Sequence, residues 1–547
     1  MNEIQQTYMI DDNVMPNPSP EKLWWEGATI YQIYPRSFKD STGDGIGDLP
    51  GITQQLDHVA SLGVDAIWVS PFFTSPMADF GYDIADFIDV DPIFGTLADF
   101  DALIQKAHEL DLKVIIDQIY SHTSDAHAWF EESRQNHDNA KADWYVWADA
   151  SADGTPPNNW QSVFGMGAWQ WDARRKQYYL HNFLTEQPDL NLHNPHVQEA
   201  ILRVTKFWLD RGVDGFRLDA LNFTMHDPEL KDNPVETVFK RPPTRPFDFQ
   251  RHVHSMSHPD ISRFLERIRR ITDNYPNRFT VAEVGGPFPM AEMKAFTQGE
   301  KRLNSAYAFD FLYAKDLSAD LVRSTLSQWT GEPEEGWPSW AFSNHDAPRA
   351  VTRWRGSCDT SSYAKLLALL LTSFRGNIFV YQGEEIGLPQ AEIAFEDLQD
   401  PEALTNWPET LGRDGARTPM PWKQSNTYAG FSIEKPWLPV DEKHKEVTVS
   451  AQNTDDKSVL NFYRQVLSLR RNSGALRHGH IDFLESQAEL LILKRYLNSE
   501  TRLCVFNLTD VSIALPAHAQ VPAEISVGGP ISNATLPPYS GFISKKL

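Results

Sequence analysis

Gly215-Phe216-Arg217-Leu218-Asp219 is the stretch on which the reading of the fold turns. It closes a short apolar run that begins at Val213. In an extended strand, residues two apart share a face, so Arg217 and Asp219 point the same way. A cation and a carboxylate side by side at the end of an otherwise apolar strand suit one architecture well. In a parallel β/α barrel the C-terminal strand ends form a polar rim, and that rim carries the chemistry.

Working outward, short β-rich runs recur at 28–34, 66–69, 114–117, 213–218, 279–284, 306–311, 340–343 and 378–381. Amphipathic stretches such as 97–110, 198–211 and 261–274 lie between them. Strand and helix alternating eight times predict an α/β fold, a (β/α)8 TIM barrel. The spacing is uneven. Residues 126–186, after the third strand, are rich in Trp, Asn, Gly and Asp with little helical period, and predict an inserted subdomain. After residue 472 short strands follow one another without helices, at 490–496, 503–506, 511–515 and 541–543, which predicts a C-terminal β-sandwich domain over 473–547. The barrel itself is expected over 23–125 and 187–472, behind a loose, proline-containing leader at 1–22.

Bulk composition narrows the function. Of 547 residues, 50 are Lys or Arg and 74 are Asp or Glu, a formal charge of −24. Such a surface repels nucleic acid and anionic lipid. The balance favours a neutral or cationic small-molecule partner, with the chain expected to be a monomer or small homo-oligomer. Two cysteines, Cys358 and Cys504, exclude a disulfide framework and a Cys-rich zinc site. No secretory signal and no apolar run of membrane-spanning length are visible, so a cytoplasmic protein is expected.

The strand ends supply the chemistry. Strand three runs into Asp117-Gln118-Ile119-Tyr120-Ser121-His122, strand four into Asp219, strand five into Ala282-Glu283, and strand seven into Asn344-His345-Asp346. Carboxylates and imidazoles therefore converge on one rim. Cleaving a glycosidic bond needs an acid for the leaving oxygen and a carboxylate to meet the oxocarbenium-like carbon, about 5–10 Å apart. Crowded carboxylates raise the pKa of at least one of them, and a fixed cation such as Arg217 holds another ionised.

As an ordered set, these segments resemble the α-amylase superfamily of retaining glycoside hydrolases (glycoside hydrolase family 13). Gln187-Pro188-Asp189-Leu190-Asn191 resembles a further region of that superfamily. Residues 28–38 and Gly412-Arg413-Asp414-Gly415-Ala416-Arg417-Thr418-Pro419-Met420-Pro421-Trp422 narrow the match to its α-glucosidase and oligo-1,6-glucosidase branch. The resemblance implies Asp219 as nucleophile, Glu283 as general acid and base, and Asp346 as the carboxylate gripping the sugar. It implies that His122, His345 and Arg217 line the same ring and that Tyr82 stacks on it. Asp83, in Gly81-Tyr82-Asp83, and Arg417 would close the far end, so that one terminal glucose is removed at a time.

Asp40-Ser41-Thr42-Gly43-Asp44-Gly45-Ile46-Gly47-Asp48 alternates oxygen-bearing side chains with glycines, like the start of an EF-hand calcium loop. Gly51 stands where the distal Glu would be, so a helix–loop–helix switch is not expected. In the resembling glucosidases this loop binds a structural Ca2+, which implies Asp40, Thr42, Asp44, the Ile46 carbonyl and Asp48 as ligands. In the resembling family a small residue after the nucleophile, here Ala220, leans toward α-1,4 bonds, which the resemblance therefore implies. The expected activity is an exo-acting retaining α-glucosidase that releases or transfers glucosyl units. The alternatives are an oligo-1,6-glucosidase, a sucrose-acting relative, and, from another class, a non-catalytic module on the same barrel.

Overall fold

A computed structural model describes residues 23–239, 242–331, 335–410, 412–424, 427–529 and 534–547. The expected leader, 1–22, lies outside the described residues. Eight parallel strands close into a barrel: β1 (Thr29–Ile33), β2 (Ala66–Val69), β3 (Lys113–Ile119), β4 (Gly215–Asp219), β5 (Phe279–Val284), β6 (Ser305–Ala308), β7 (Trp337–Ala341) and β8 (Asn377–Tyr381). Each pairs with its sequence neighbours, and β8 pairs with β1. The sixth and seventh strands end earlier than the apolar runs suggest. Phe309 and Phe311, in the turns after β6, continue the apolar run without continuing the strand.

Period-two alternation sorts the strand residues. Tyr31, Ile67, Val114, Ile116, Phe216, Leu218, Ala282 and Val380 face outward and pack under the helices in one large core. Ile30, Ala66, Trp68, Ile115, Phe279, Val281, Tyr307 and Phe379 fill the barrel as a separate inner cluster. Two residues further along the same inward faces come Gln32, Asp117, Arg217, Asp219 and Glu283. The apolar plug thus forms the floor of a polar rim.

The helices start where their sequences allow. Asp48 caps Leu49–Ser61 by accepting from the Gly51 N–H, and Thr96 with Asp99 forms a capping box on Leu97–Glu109. Asn194 caps Pro195–Asp210, the helix α1 that enters β4, and α2 (Ile261–Thr272) packs beside α1 before β5.

Between β3 and α1 the chain makes a short helix, Ala128–Ser133, and a three-stranded antiparallel sheet of Trp147–Ala148, Gln177–Leu180 and Trp169–Asp172. Its ends are pinned to the barrel by the antiparallel bridges His122–Asp189 and Tyr145–Leu190. The C-terminal part is a five-stranded antiparallel sheet: β9 (His480–Phe483), β10 (Leu490–Leu497), β11 (Glu500–Asn507), β12 (Ala523–Val527) and β13 (Ser540–Ser544). Leu491, Leu493, Cys504, Phe506 and Ile543 face the barrel's helices. Leu490, Ile492, Leu503, Val505 and Phe542 face a small second core with Ile513 and Leu536 of a two-stranded sheet. This is the all-β domain the strand pattern predicts. Among the described residues no helix is long and apolar enough to cross a membrane.

Candidate active site

Register brings the rim residues level. Asp117 on β3 lies opposite Arg217 on β4, Leu218 opposite Ala282, and Glu283 on β5 opposite Tyr307 on β6. One residue past Leu218 and Ala282, Asp219 and Glu283 face each other. Arg217 lies between them, fully buried. Its Nη1 donates to Asp117 Oδ1 at 2.7 Å and to Asp219 Oδ1 at 2.5 Å, its Nη2 is in close contact with Glu283 Oε1, and its Nε donates to the Tyr307 hydroxyl at 3.1 Å. The Tyr307 hydroxyl donates onward to Glu283 Oε1 at 3.1 Å. The backbone N–H of Ala220, in the left-handed region at φ 42°, donates to Glu283 Oε2 at 3.2 Å.

One guanidinium therefore serves three carboxylates in a site nearly closed to water. Burial pushes both Asp219 and Glu283 up to about 7, against the pull of Arg217, and pushes Asp117 up to about 6. With one cation among three acids, holding a proton near neutral pH is the expected state of this cluster. Asp346 behaves differently. Burial raises it, but His345, Arg417 and Arg413 surround it and hold it below the ordinary carboxylate range. Burial takes His345 down to about 3, so the ring is neutral at pH 7 and the two guanidiniums carry the effect. Arg417 donates to Asp346 Oδ1 at 2.7 Å and to the His345 carbonyl at 2.7 Å.

The His345 ring lies nearly parallel to those of Tyr82 and Tyr34, with ring centroids 5.3 and 5.6 Å away. Its Nε2 meets the Tyr82 hydroxyl at 2.5 Å and its Nδ1 meets Gln32 Nε2 at 2.8 Å. His122 lies 3.2 Å from the Tyr82 carbonyl and 3.1 Å from Gln187 Nε2, and burial takes it down to about 4. The side chains of Asp219, Glu283 and Asp346 keep 11%, 7% and 24% of their exposure, which describes a narrow mouth.

Asp83 is not where the sequence reading puts it. It is fully buried, and its two oxygens accept from the Ala78 and Asp79 N–H groups at 2.8 and 2.9 Å. The residue at the site is Asp79. Its Oδ1 accepts from Arg413 Nη2 at 2.7 Å, and the same Arg413 reaches Asp400 and, at 3.4 Å, Asp346. The cause is a turn: Phe80 and Gly81 both have positive φ, and the Tyr82 N–H returns to the Asp79 carbonyl, so the chain doubles back. Asp83 then ties the turn from behind. Arg417 does not pair with Asp83 either; it holds Asp346. The sequence reading also misses Tyr307 and the rings of Phe164 and Phe183. These two come from the inserted segment and lie 5.2 Å from the Arg413 guanidinium and 5.1 Å from the His122 ring, respectively.

The Asp40–Asp48 loop holds itself together. Asp40 accepts from the N–H groups of Thr42, Gly43 and Gly45 and from the Ser432 hydroxyl, while Asp48 accepts from Ser41 and caps its helix. The donor types, all oxygen, suit calcium. As placed, the carboxylates of Asp40, Asp44 and Asp48 do not meet within ligand distance of one another.

Known proteins resemble this chain in sequence and in fold. The alpha amylase catalytic-domain model matches residues 32–479. The chain is 53% identical over 498 residues to a probable alpha-glucosidase of Rhizobium meliloti (strain 1021), covering 90% of each. It is 37% identical to an oligo-1,6-glucosidase of Parageobacillus thermoglucosidasius, covering 91% of this chain and 93% of that one. Among solved structures, an alpha-glucosyl transfer enzyme superposes with a TM-score of 0.91 at 50% identity, covering 96% of this chain and all of the other. The trehalulose synthase of Pseudomonas mesoacidophila gives 0.88 at 32% identity over the same shares. Taken with the closed barrel and its cluster of carboxylates, these matches show that the chain belongs to the alpha-amylase family of glycoside hydrolases, as an enzyme of the α-glucosidase type.

Proposed function

We propose that the protein is an exo-acting, retaining α-glucosidase that also transfers glucosyl units, with α-1,4-linked short oligosaccharides as donors. The observation that carries this reading is the placement of Asp219 and Glu283 on adjacent nitrogens of one guanidinium, level with each other on neighbouring strands. In the first step an Asp219 oxygen attacks the anomeric carbon while Glu283 gives its proton to the departing glycosidic oxygen. In the second, Glu283 takes a proton from water or a sugar hydroxyl, which attacks the same carbon and frees Asp219. Two inversions leave the α configuration. Asp346 with Arg417, and Asp79 with Arg413, supply charged partners for the hydroxyls of one glucose unit, with His122 and His345 beside them.

Transfer is supported by the glucosyl-transfer relative and by room for an acceptor. A shallow, open depression of about 660 Å3 is lined by residues including Gln161, Arg245, Phe249, Gln250 and Glu409. Arg245 in its wall lies 5.7 Å from the ring of Phe247, which packs in one cluster with Ala220 and Phe223.

The test is the anomer formed first from maltose, followed by NMR. α-Glucose supports the double displacement, and β-glucose appearing first overturns it. Rates on maltose, isomaltose, sucrose and maltotriose decide the linkage. A folded protein that releases no nitrophenol from p-nitrophenyl α-glucoside overturns the enzyme reading.

A further inference from the structure

Outside the catalytic rim, His193, His258 and Asp260 each bring one ligand atom to a common point, all within 4.8 Å of one another. We propose that these three residues bind a divalent transition metal of the zinc class. Two imidazoles and one carboxylate, partly exposed, match the ligand types and the open position of a three-residue zinc site, with water completing the set.

Three details point to ligation rather than chance proximity. First, His193 Nε2 lies 2.8 Å from the His226 carbonyl. A carbonyl only accepts, so Nε2 carries the hydrogen and Nδ1 keeps its lone pair. Fixing the outer nitrogen on a carbonyl is how ligating histidines are usually oriented. Second, Asp260 stands at the N-cap of α2 yet makes no side-chain cap hydrogen bond. Its Oδ2 instead lies 3.8 Å from His258 Nδ1, while its Oδ1 is held by the exposed Arg263. Third, His258 Nδ1 has one hydrogen bond, a long one of 3.3 Å from the Asp260 N–H, which a metal would displace. The His193 and His258 rings meet edge to face at 5.1 Å, which keeps both imidazoles at the same point.

The site joins the starts of α1 and α2 to the segment that follows Asp219. Besides the His226 carbonyl on His193, the Ser257 N–H donates to the Asn222 carbonyl at 2.7 Å. A bound metal would therefore brace the chain between Asn222 and His226.

The experiment titrates zinc chloride into chelator-treated, full-length protein by calorimetry, with melting temperature as a second readout. One equivalent should bind and raise the melting temperature. Asp260→Asn and His258→Gln should each weaken that binding by at least about tenfold, while the melting temperature without zinc changes little, since the Asp260 side chain makes no cap hydrogen bond. Asp40→Asn should leave zinc binding intact, separating this site from the Asp40–Asp48 loop. Absence of stoichiometric zinc binding overturns the proposal. So does binding that is the same in both variants, which would place the metal on other surface histidines.

Discussion

Arg217 and Asp219 stand two residues apart on one face of β4, and Nη1 of the arginine donates to Oδ1 of the aspartate across 2.5 Å. The bond fixes one carboxylate oxygen, while the side chain as a whole keeps 11% of its exposure. Asp219→Asn keeps the shape and the acceptor for Arg217 but removes the nucleophilic charge. Turnover should fall by about 10^4-fold or more, with the melting temperature nearly unchanged. A variant that keeps most of its activity would remove Asp219 from this role.

The arginine itself carries more than one interaction. Arg217→Lys cannot span Asp117, Asp219 and Glu283 together, because an ammonium is a point charge and not a planar fork. Breaking a buried ion pair costs about 3–5 kcal/mol when charges are left uncompensated. Both the melting temperature and kcat/KM should drop, and a lysine variant with native stability would show that the cluster tolerates looser pairing.

The raised carboxyls set the pH dependence. Glu283 and Asp219 at about 7 bind protons in the folded state that their unfolded counterparts, in the usual carboxylate range, have already lost. The folded protein therefore holds more protons between roughly pH 4 and 7. Stability from these groups falls as pH rises through that window and is lowest above it. Asp346 has the opposite sign: its contribution is present above its unfolded value and is lost in acid. Glu283→Gln removes an ionisation that burial opposes, so at pH 8 it should raise the melting temperature above that of the native protein while abolishing turnover of maltose. In native protein the alkaline limb of kcat/KM should bend near pH 7, where the acid loses its proton. A flat alkaline limb would remove Glu283 from the acid role.

Asp79 and Arg413 show where sequence reading stops. The barrel was legible because alternation and strand ends are local: Arg217 and Asp219 share a face by spacing alone. The C-terminal sheet was legible for the same reason. Asp79 and Asp83 are two acids four residues apart, and which one reaches the site depends on the positive φ at Phe80 and Gly81. Arg413 and Arg417 both follow Gly412, and their partners lie on loops far away in sequence. Tyr307 gave no signal beyond an aromatic in a strand. His193 and His258 belong to different helix starts that only the barrel brings together.

The turn also separates two acids by their effect. Asp79→Asn breaks the charge pair with Arg413, which Asp400 still partly holds. It should cut kcat/KM at least tenfold, about 1.4 kcal/mol, with a modest loss of stability. Asp83→Asn takes one of two acceptors from the turn and should lower the melting temperature by more, with activity reduced only through unfolding. Equal effects on both measurements would mean that Asp83, too, faces the sugar.

The calcium expectation is tested on the same scale. We propose that the Asp40–Asp48 loop takes calcium by swinging the carboxylates of Asp44 and Asp48 toward Asp40, at the expense of the Ser41 bonds. The hydrogen bonds in place already hold the loop, so the metal adds stability without creating the fold. Calcium added to chelator-treated protein should raise the melting temperature, and Asp44→Asn should abolish the rise. Zinc-dependent shifts at His193, His258 and Asp260 should survive in Asp44→Asn. If calcium leaves the melting temperature where the chelator left it, the turn stands on its own bonds, and Asp48 serves its helix alone.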